Sequence, residues 1–133
     1  MKDHERGALL RTPYKLGGRQ LRYGLDCLGV ALYVLRCRGT PVPDPWGAIQ
    51  AAWRADELDT ATCFPEGWYR VNDQTLADGD VMLFAGQHDG VAVVDGGFVW
   101  GADPRVRTIY CRPVSRWERK PKEVWRHDPR VRP

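Results

Sequence analysis

A cysteine, an aspartate and a histidine are the residues of this sequence whose types and spacing could do chemistry. Asp26 and Cys27 stand directly before an apolar run, and His88 follows in the second half of the chain, just before a glycine and another apolar run. A cysteine in the first turn of a helix is close to unpaired N–H groups and to the positive end of the helix dipole, and both favour the thiolate. The same N–H groups could stabilise an oxyanion, and an imidazole could act as the base. This pattern predicts a thiol nucleophile, with a small buried cysteine and an ordinary surface histidine as the alternative.

The elements that must position these residues follow from the hydrophobic pattern. Residues 27–38 predict a helix, with Asp26 as its N-cap and Gly39 just past its end. A second helix is predicted from Asp44 to about Leu58. Short apolar runs separated by turns then predict strands near residues 68–71, 81–84, 91–94, 98–100 and 107–111. Helices followed by consecutive strands predict an α+β fold with an antiparallel sheet.

Two blocks of this sequence resemble a known family. The first block is Tyr14, Gly17-Gly18 and the run GLDCLGV at 24–30, and the second comprises GDVMLF at 79–84, HDGVAV at 88–93 and DGGFV at 95–99. Together they resemble the signature segments of the NlpC/P-sixty cell-wall cysteine peptidases, over roughly residues 11–103. The Gly17-Gly18-Arg19 loop and Leu28 are more similar to phage- and prophage-tail members than to secreted ones.

The resemblance implies a papain-like fold, in which N-terminal helices pack on a mostly antiparallel β-sheet and the nucleophile lies at a helix N-terminus. It implies that Cys27 is the nucleophile and His88 its base, and that the substrate is an amide bond of a peptidoglycan stem peptide. Tyr14 is expected to line the site and to help hold the oxyanion. Asp26 is expected to face the free amino group of the substrate, with a plain N-cap role as the alternative.

The sequence departs from the family pattern at the third polar position, which is Trp100. An indole has one donor and no acceptor, so it cannot receive the ring N–H of a histidine. Asp103 is the first candidate for this orienting role and Asp95 the second, with a backbone carbonyl as a further alternative, while Trp100 is expected to contact substrate. Asp89 could raise the pKa of His88 or point to solvent. These departures leave open a two-residue peptidase, a retuned specificity, or a degenerate copy that binds without cutting.

Composition and charge set limits on the domains and partners. The 133 residues predict one compact domain, and the net charge of +3 gives no reason to expect a nucleic-acid partner. Residues 104–133 nevertheless hold ten basic and three acidic side chains. We therefore expect a peptidase domain over 1–116 and a basic C-terminal extension over 117–133 that has no strand or helix signature. We expect this extension to be solvated or docked on a partner, with its tryptophans packed on the domain or on a neighbouring subunit, and a surface for an anionic polymer is the alternative.

The remaining expectations concern location, metals and the competing function. No apolar run suits a membrane helix or a secretory signal. This agrees with the location that the resemblance implies, which is a phage tail component, present in the virion or in the host cytoplasm before assembly. No Cys-x-x-Cys pair is present, so we expect neither metal nor cofactor, and Cys37, Cys63 and Cys111 are expected to be buried thiols. The alternatives to a peptidase are a structural tail protein that keeps the peptidase fold and docks through its basic segment, and an amidase toxin.

Overall fold

The computed structural model of the protein describes residues 1–44, 63–72, 75–84 and 90–132. The second predicted helix therefore lies, apart from Asp44, outside the described residues. His88 and Asp89 lie outside them as well.

Two α-helices occur in the described part of the chain: α1 spans Asp3–Leu10 and α2 spans Cys27–Cys37. Neither is long and apolar enough to cross a membrane. The strands are β1 (Arg19–Gln20), β2 (Gly24–Leu25), β3 (Trp68–Val71), β4 (Val81–Leu83), β5 (Val91–Asp95), β6 (Phe98–Asp103), β7 (Thr108–Pro113) and β8 (Glu123–His127).

Six of the strands form one sheet, in the order β3, β8, β4, β5, β6, β7, with every neighbouring pair antiparallel. The turn between β5 and β6 contains Gly96 and Gly97, which have φ values of 62° and 78° and so provide the left-handed conformations that a two-residue hairpin needs. The predicted α+β class with a mostly antiparallel sheet is confirmed.

The helix α2 supplies most of the core on one face of this sheet. Its side chains Val30 and Val34 are fully buried and belong to the same apolar cluster as Val93 of β5 and Trp100 of β6. Tyr33 donates a hydrogen bond from its hydroxyl to the backbone oxygen of Glu5 at 3.2 Å, which ties α2 to α1. A second apolar cluster, on the opposite face, is described below with the segment that covers it.

The C-terminal segment contributes an interior strand, so the expectation that it has no strand is wrong. Strand β8 pairs with β3 on one side and with β4 on the other. Its Arg126 donates two hydrogen bonds of 2.8 Å to the fully buried carboxylate of Asp80. Trp125 of the same strand is buried in the core beneath α2. Glu123, Val124 and Trp125 of this strand are buried one after another, so the strand has no alternating apolar pattern by which the sequence could show it.

Candidate functional site

The thiol of Cys27 is placed by the start of α2. Cys27 is the first residue of this helix and is half-buried. The backbone N–H groups of Val91, Gly90 and Leu28 donate toward its sulfur. The N-terminus of α2 therefore meets the start of β5, and amides from both elements surround the thiol.

A loop that is rich in glycine packs closely on this helix start. A side chain at Gly29 would collide with the backbone oxygen of Gly18, and a side chain at Gly18 would collide with the backbone of Gly24. Tyr14 forms a parallel bridge with Leu25, so the loop returns beside the residue that precedes Asp26. The glycines of the first block are thus required because backbone approaches backbone.

Asp26 is the N-cap of α2 and is almost completely buried, at 2% exposure. Its Oδ1 accepts hydrogen bonds from the N–H of Gly29 and from Nη1 of Arg19, and its Oδ2 accepts one from the N–H of Gly17, each at 2.8 Å. Arg19 also donates from Nε to Asp44 at 2.8 Å. The predicted N-cap role is confirmed, and this carboxylate is occupied by the protein's own donors.

Burial governs the ionisation of Cys27. Burial raises the pKa of this thiol most, and the negative charge of Asp26 raises it further. The N–H groups of Val91, Gly90 and Leu28 act to lower the pKa but do not outweigh the two opposing causes. The position of Cys27 at a helix N-terminus therefore does not lower the pKa of its thiol, contrary to our expectation.

Tyr14 lies in the same electrostatic environment as the thiol. The pKa of its phenol is raised, first by burial and then by the charges of Asp26 and Cys27, whereas the positive charge of Arg107 lowers it. Asp103 also acts on the phenol, raising its pKa. The structure thus brings Tyr14, Asp26 and Cys27 together, with the turn between β6 and β7 beside them.

Asp103 is at the end of β6. The pairing of β5 with β6 ends at Val93 with Trp100, and β6 runs on by three residues to Asp103, toward the end of the sheet at which β5 begins. Arg105 donates to both oxygens of the Asp103 carboxylate, at 3.2 Å from Nε and 3.2 Å from Nη2. These side-chain hydrogen bonds are the main reason why the pKa of Asp103 is lowered. Asp103 is therefore ionised and lies at the end of the sheet at which β5 begins.

Trp100 lies in the core, with an exposure of 1%, and not at the surface of the site. Its Nε1 is buried and has no hydrogen-bond partner among the residues that the structure describes. The indole fills the space between the sheet and α2.

Asp95 lies at the other end of β5 and is not placed to orient a base beside the thiol. Its Oδ1 accepts a hydrogen bond of 2.7 Å from Nη1 of Arg38, which is the C-cap of α2. An 11-residue helix is roughly 16 Å long. Asp95 is therefore about a helix length from Cys27, so the second candidate for the orienting role is wrong.

The other cysteines are free thiols in the structure. Cys37 is half-buried at the other end of α2 and Cys111 is half-buried in β7, whereas Cys63 is buried and lines a pocket together with Leu28 and Val91. Burial, followed by the hydrogen bond with Glu5, raises the pKa of Cys37 to about 11. No group of histidine, cysteine and acidic residues within the described ranges is arranged to hold a metal ion.

His88 cannot be placed from the described residues, but its neighbours can. Phe84 donates its N–H to the backbone oxygen of Gly90 at 3.0 Å, so the two residues that flank the segment 85–89 are joined. Gly90 is also one of the residues whose N–H faces the Cys27 sulfur. Along the chain, His88 is only two residues from this contact.

Comparison with known proteins gives no relative from which a role could be transferred. No protein-family model matches the chain, and no curated protein sequence matches it significantly. The fold and the geometry of this site are therefore the basis for a functional conclusion.

Proposed function

We propose that this protein is a papain-like cysteine peptidase that hydrolyses an amide bond in peptidoglycan stem peptides. The observation that carries the proposal is the position of the Cys27 thiol at the N-terminus of α2, with amides of Gly90 and Val91 facing it from β5. A nucleophile at a helix start against a sheet edge supplies both an attacking atom and preorganised N–H donors.

In the proposed reaction, His88 removes the proton from the Cys27 thiol, and the sulfur attacks the carbonyl carbon of the scissile amide. The oxyanion that forms is held by N–H groups at the start of α2, and the phenol of Tyr14 is close enough in the fold to assist. Collapse of the intermediate breaks the C–N bond, and the proton held by His88 passes to the leaving amine. Water then hydrolyses the acyl-enzyme and restores the thiol.

The position of Asp103 supports an orienting role for its carboxylate. Strand β6 ends at Asp103, at the end of the sheet where β5 begins, and His88 precedes the first residue of β5 by three residues along the chain. A carboxylate that accepts the second ring N–H of a histidine fixes its tautomer and stabilises the imidazolium. Arg105 already donates two hydrogen bonds to Oδ1 and one to Oδ2, so the ring N–H of His88 would be a second bond accepted by Oδ2.

Asp26 has a different role in this proposal from the one that the resemblance implies. Its two oxygens already accept hydrogen bonds from Gly17, Arg19 and Gly29, and its exposure is 2%. A free amino group of a substrate would have to displace one of these donors. We assign Asp26 to holding the loop on the helix start, and Cys27 in place.

A second candidate is a structural protein that keeps the peptidase fold and no longer cuts. Two observations favour it: burial raises the pKa of Cys27, and the position of the usual third polar residue is filled by the buried Trp100. In both candidates the protein is proposed to act as a component of a phage or phage-like tail.

The experiment that separates the two candidates is digestion of purified peptidoglycan, with mass spectrometry of the released fragments. The wild-type protein should release stem-peptide fragments, and Cys27→Ala and His88→Ala should each release none. Cys111→Ala is the matched control, because it removes another half-buried thiol outside the site. Its activity should equal that of the wild type. A wild-type protein that releases nothing from peptidoglycans of several compositions would refute the peptidase and support the structural protein.

A further inference from the structure

The segment that leads into β8 borders a cleft that the proposed chemistry does not use. The cleft has a volume of about 440 Å³, which is within the range of sites for small ligands and short peptide segments. It is lined by the end of β3, by residues 117–122 and by the start of β8. Its apolar floor includes Val71, Leu76, Trp117 and Val124, which belong to the apolar cluster on the face of the sheet opposite α2.

Positive charge dominates the rim of this cleft. Lys120 and Lys122 are exposed, and Arg70 and Arg119 also line it. Of the two acidic side chains in the lining, Glu123 pairs with Arg70 at 3.2 Å. The two lysines form no ion pair with any residue in the described part of the chain. They are therefore available to an anionic ligand.

The stacking of the aromatic rings here argues against a nucleic acid. The Trp117 ring already stacks on Tyr110, with ring centroids 6.0 Å apart, and the guanidinium of Arg119 covers Phe84 at 4.4 Å. Binding of single strands depends on aromatic faces that are open to bases. Glu118 in the lining would also repel a backbone that carries one charge per nucleotide.

We propose that this cleft binds an extended acidic peptide segment, whose carboxylates pair with Lys120 and Lys122 and whose apolar atoms pack on the floor. The carboxylates of such a segment are separated by neutral backbone amides. They can therefore form ion pairs with the two lysines without bringing a negative charge next to Glu118. The proposal does not depend on the hydrolase activity, because the cleft lies on the face of the sheet opposite α2.

The test measures binding of a fluorescent hexaglutamate peptide to the full chain by anisotropy, with hexaglutamine and hexathymidylate as comparison probes. Hexaglutamate should bind more tightly than both, and its binding should weaken as ionic strength rises. Lys120→Ala/Lys122→Ala should weaken it at least about fivefold, which is the scale expected for two partly exposed charge pairs.

The matched control is Arg116→Ala/Arg132→Ala, which removes two exposed charges of the same segment that do not line the cleft. Its affinity for hexaglutamate should stay within about twofold of the wild-type value. Circular dichroism of each variant checks that its fold is retained. Equal losses in the two double variants would overturn the cleft as the site. Equal binding of hexaglutamine, or tighter binding of hexathymidylate, would overturn the acidic peptide as its ligand.

Discussion

Replacing Asp26 by asparagine tests whether this residue holds the site together or faces the substrate. Asparagine is as good an N-cap as aspartate, so the bond to Gly29 is kept. Gly29 and Arg19 donate to the same oxygen, so the amide nitrogen takes the place of the other oxygen and turns a second donor toward the N–H of Gly17. The charge that holds the 2.8 Å contact with Arg19 is also lost. Loss of a charge-assisted hydrogen bond and an unsatisfied N–H together cost about 2–4 kcal/mol.

That cost converts to a lower melting temperature. Dividing the lost free energy of unfolding by the unfolding entropy expected for 133 residues gives the decrease in melting temperature. A loss of 2–4 kcal/mol then lowers the melting temperature by roughly 7–14 °C. Thermal unfolding followed by circular dichroism measures it. Asp44→Asn is the control, because it removes the other carboxylate partner of Arg19, which is 45% exposed, and we expect a loss below about 1 kcal/mol.

The same substitution should also change the thiol. The charge of Asp26 raises the pKa of Cys27, so Asp26→Asn should lower that pKa and move the alkylation of Cys27 by iodoacetamide to lower pH. An Asp26→Asn protein that melts within about a degree or two of the wild type, but no longer binds stem peptides, would refute this reasoning. Such a result would show that Asp26 faces the substrate, as the resemblance implies.

Three further predictions follow from buried groups. Asp80→Ala should lower the free energy of unfolding in urea by about 3–5 kcal/mol, because Arg126 loses both of its 2.8 Å hydrogen bonds; a loss below about 1 kcal/mol would contradict this pairing. A chain that ends at residue 122 should lose cooperative unfolding, because it lacks an interior strand and Trp125, whereas a chain that ends at residue 131 should keep it. Cys37, with its pKa raised to about 11, should remain protonated and unmodified by iodoacetamide near pH 9, and rapid labelling observed by peptide mass spectrometry would contradict its burial.

The helix that positions the site and the hairpin of β5 and β6 could be predicted because local signals were strong. Asp26 before an unbroken apolar run, and Gly96-Gly97 between two apolar runs, are signals that need no tertiary information. Strand β8 could not be predicted in this way. Its Arg126 is neutralised by Asp80, which is 46 residues away, and a sequence pattern does not show such a partner.

The helix α1 and the bonding of Asp26 were missed for related reasons. Only Leu9 of α1 is fully buried, so the helix has little apolar periodicity. Its start is marked by Glu5, whose side chain accepts a hydrogen bond from the N–H of Lys2. The hydrogen bonds of Asp26 with Gly17 and Arg19 depend on a loop that folds back on the helix. The resemblance implies that Asp26, which is adjacent to Cys27, faces the substrate. The burial of Asp26 and its hydrogen bonds to the loop favour a role in holding the loop instead.

The magnitudes explain why the proposed activity depends on a base. A helix dipole contributes at most about 1–2 kcal/mol, which corresponds to a pKa decrease of roughly one unit. Burial can raise a pKa by several units, and for Cys27 burial is the largest cause. The amides around the sulfur are therefore more useful to the oxyanion that forms during attack than to the resting thiolate. A thiol that stays protonated at rest is protected from oxidation and reacts only when a base takes its proton. The proposed peptidase activity therefore depends on His88, and the His88→Ala variant tests that dependence directly.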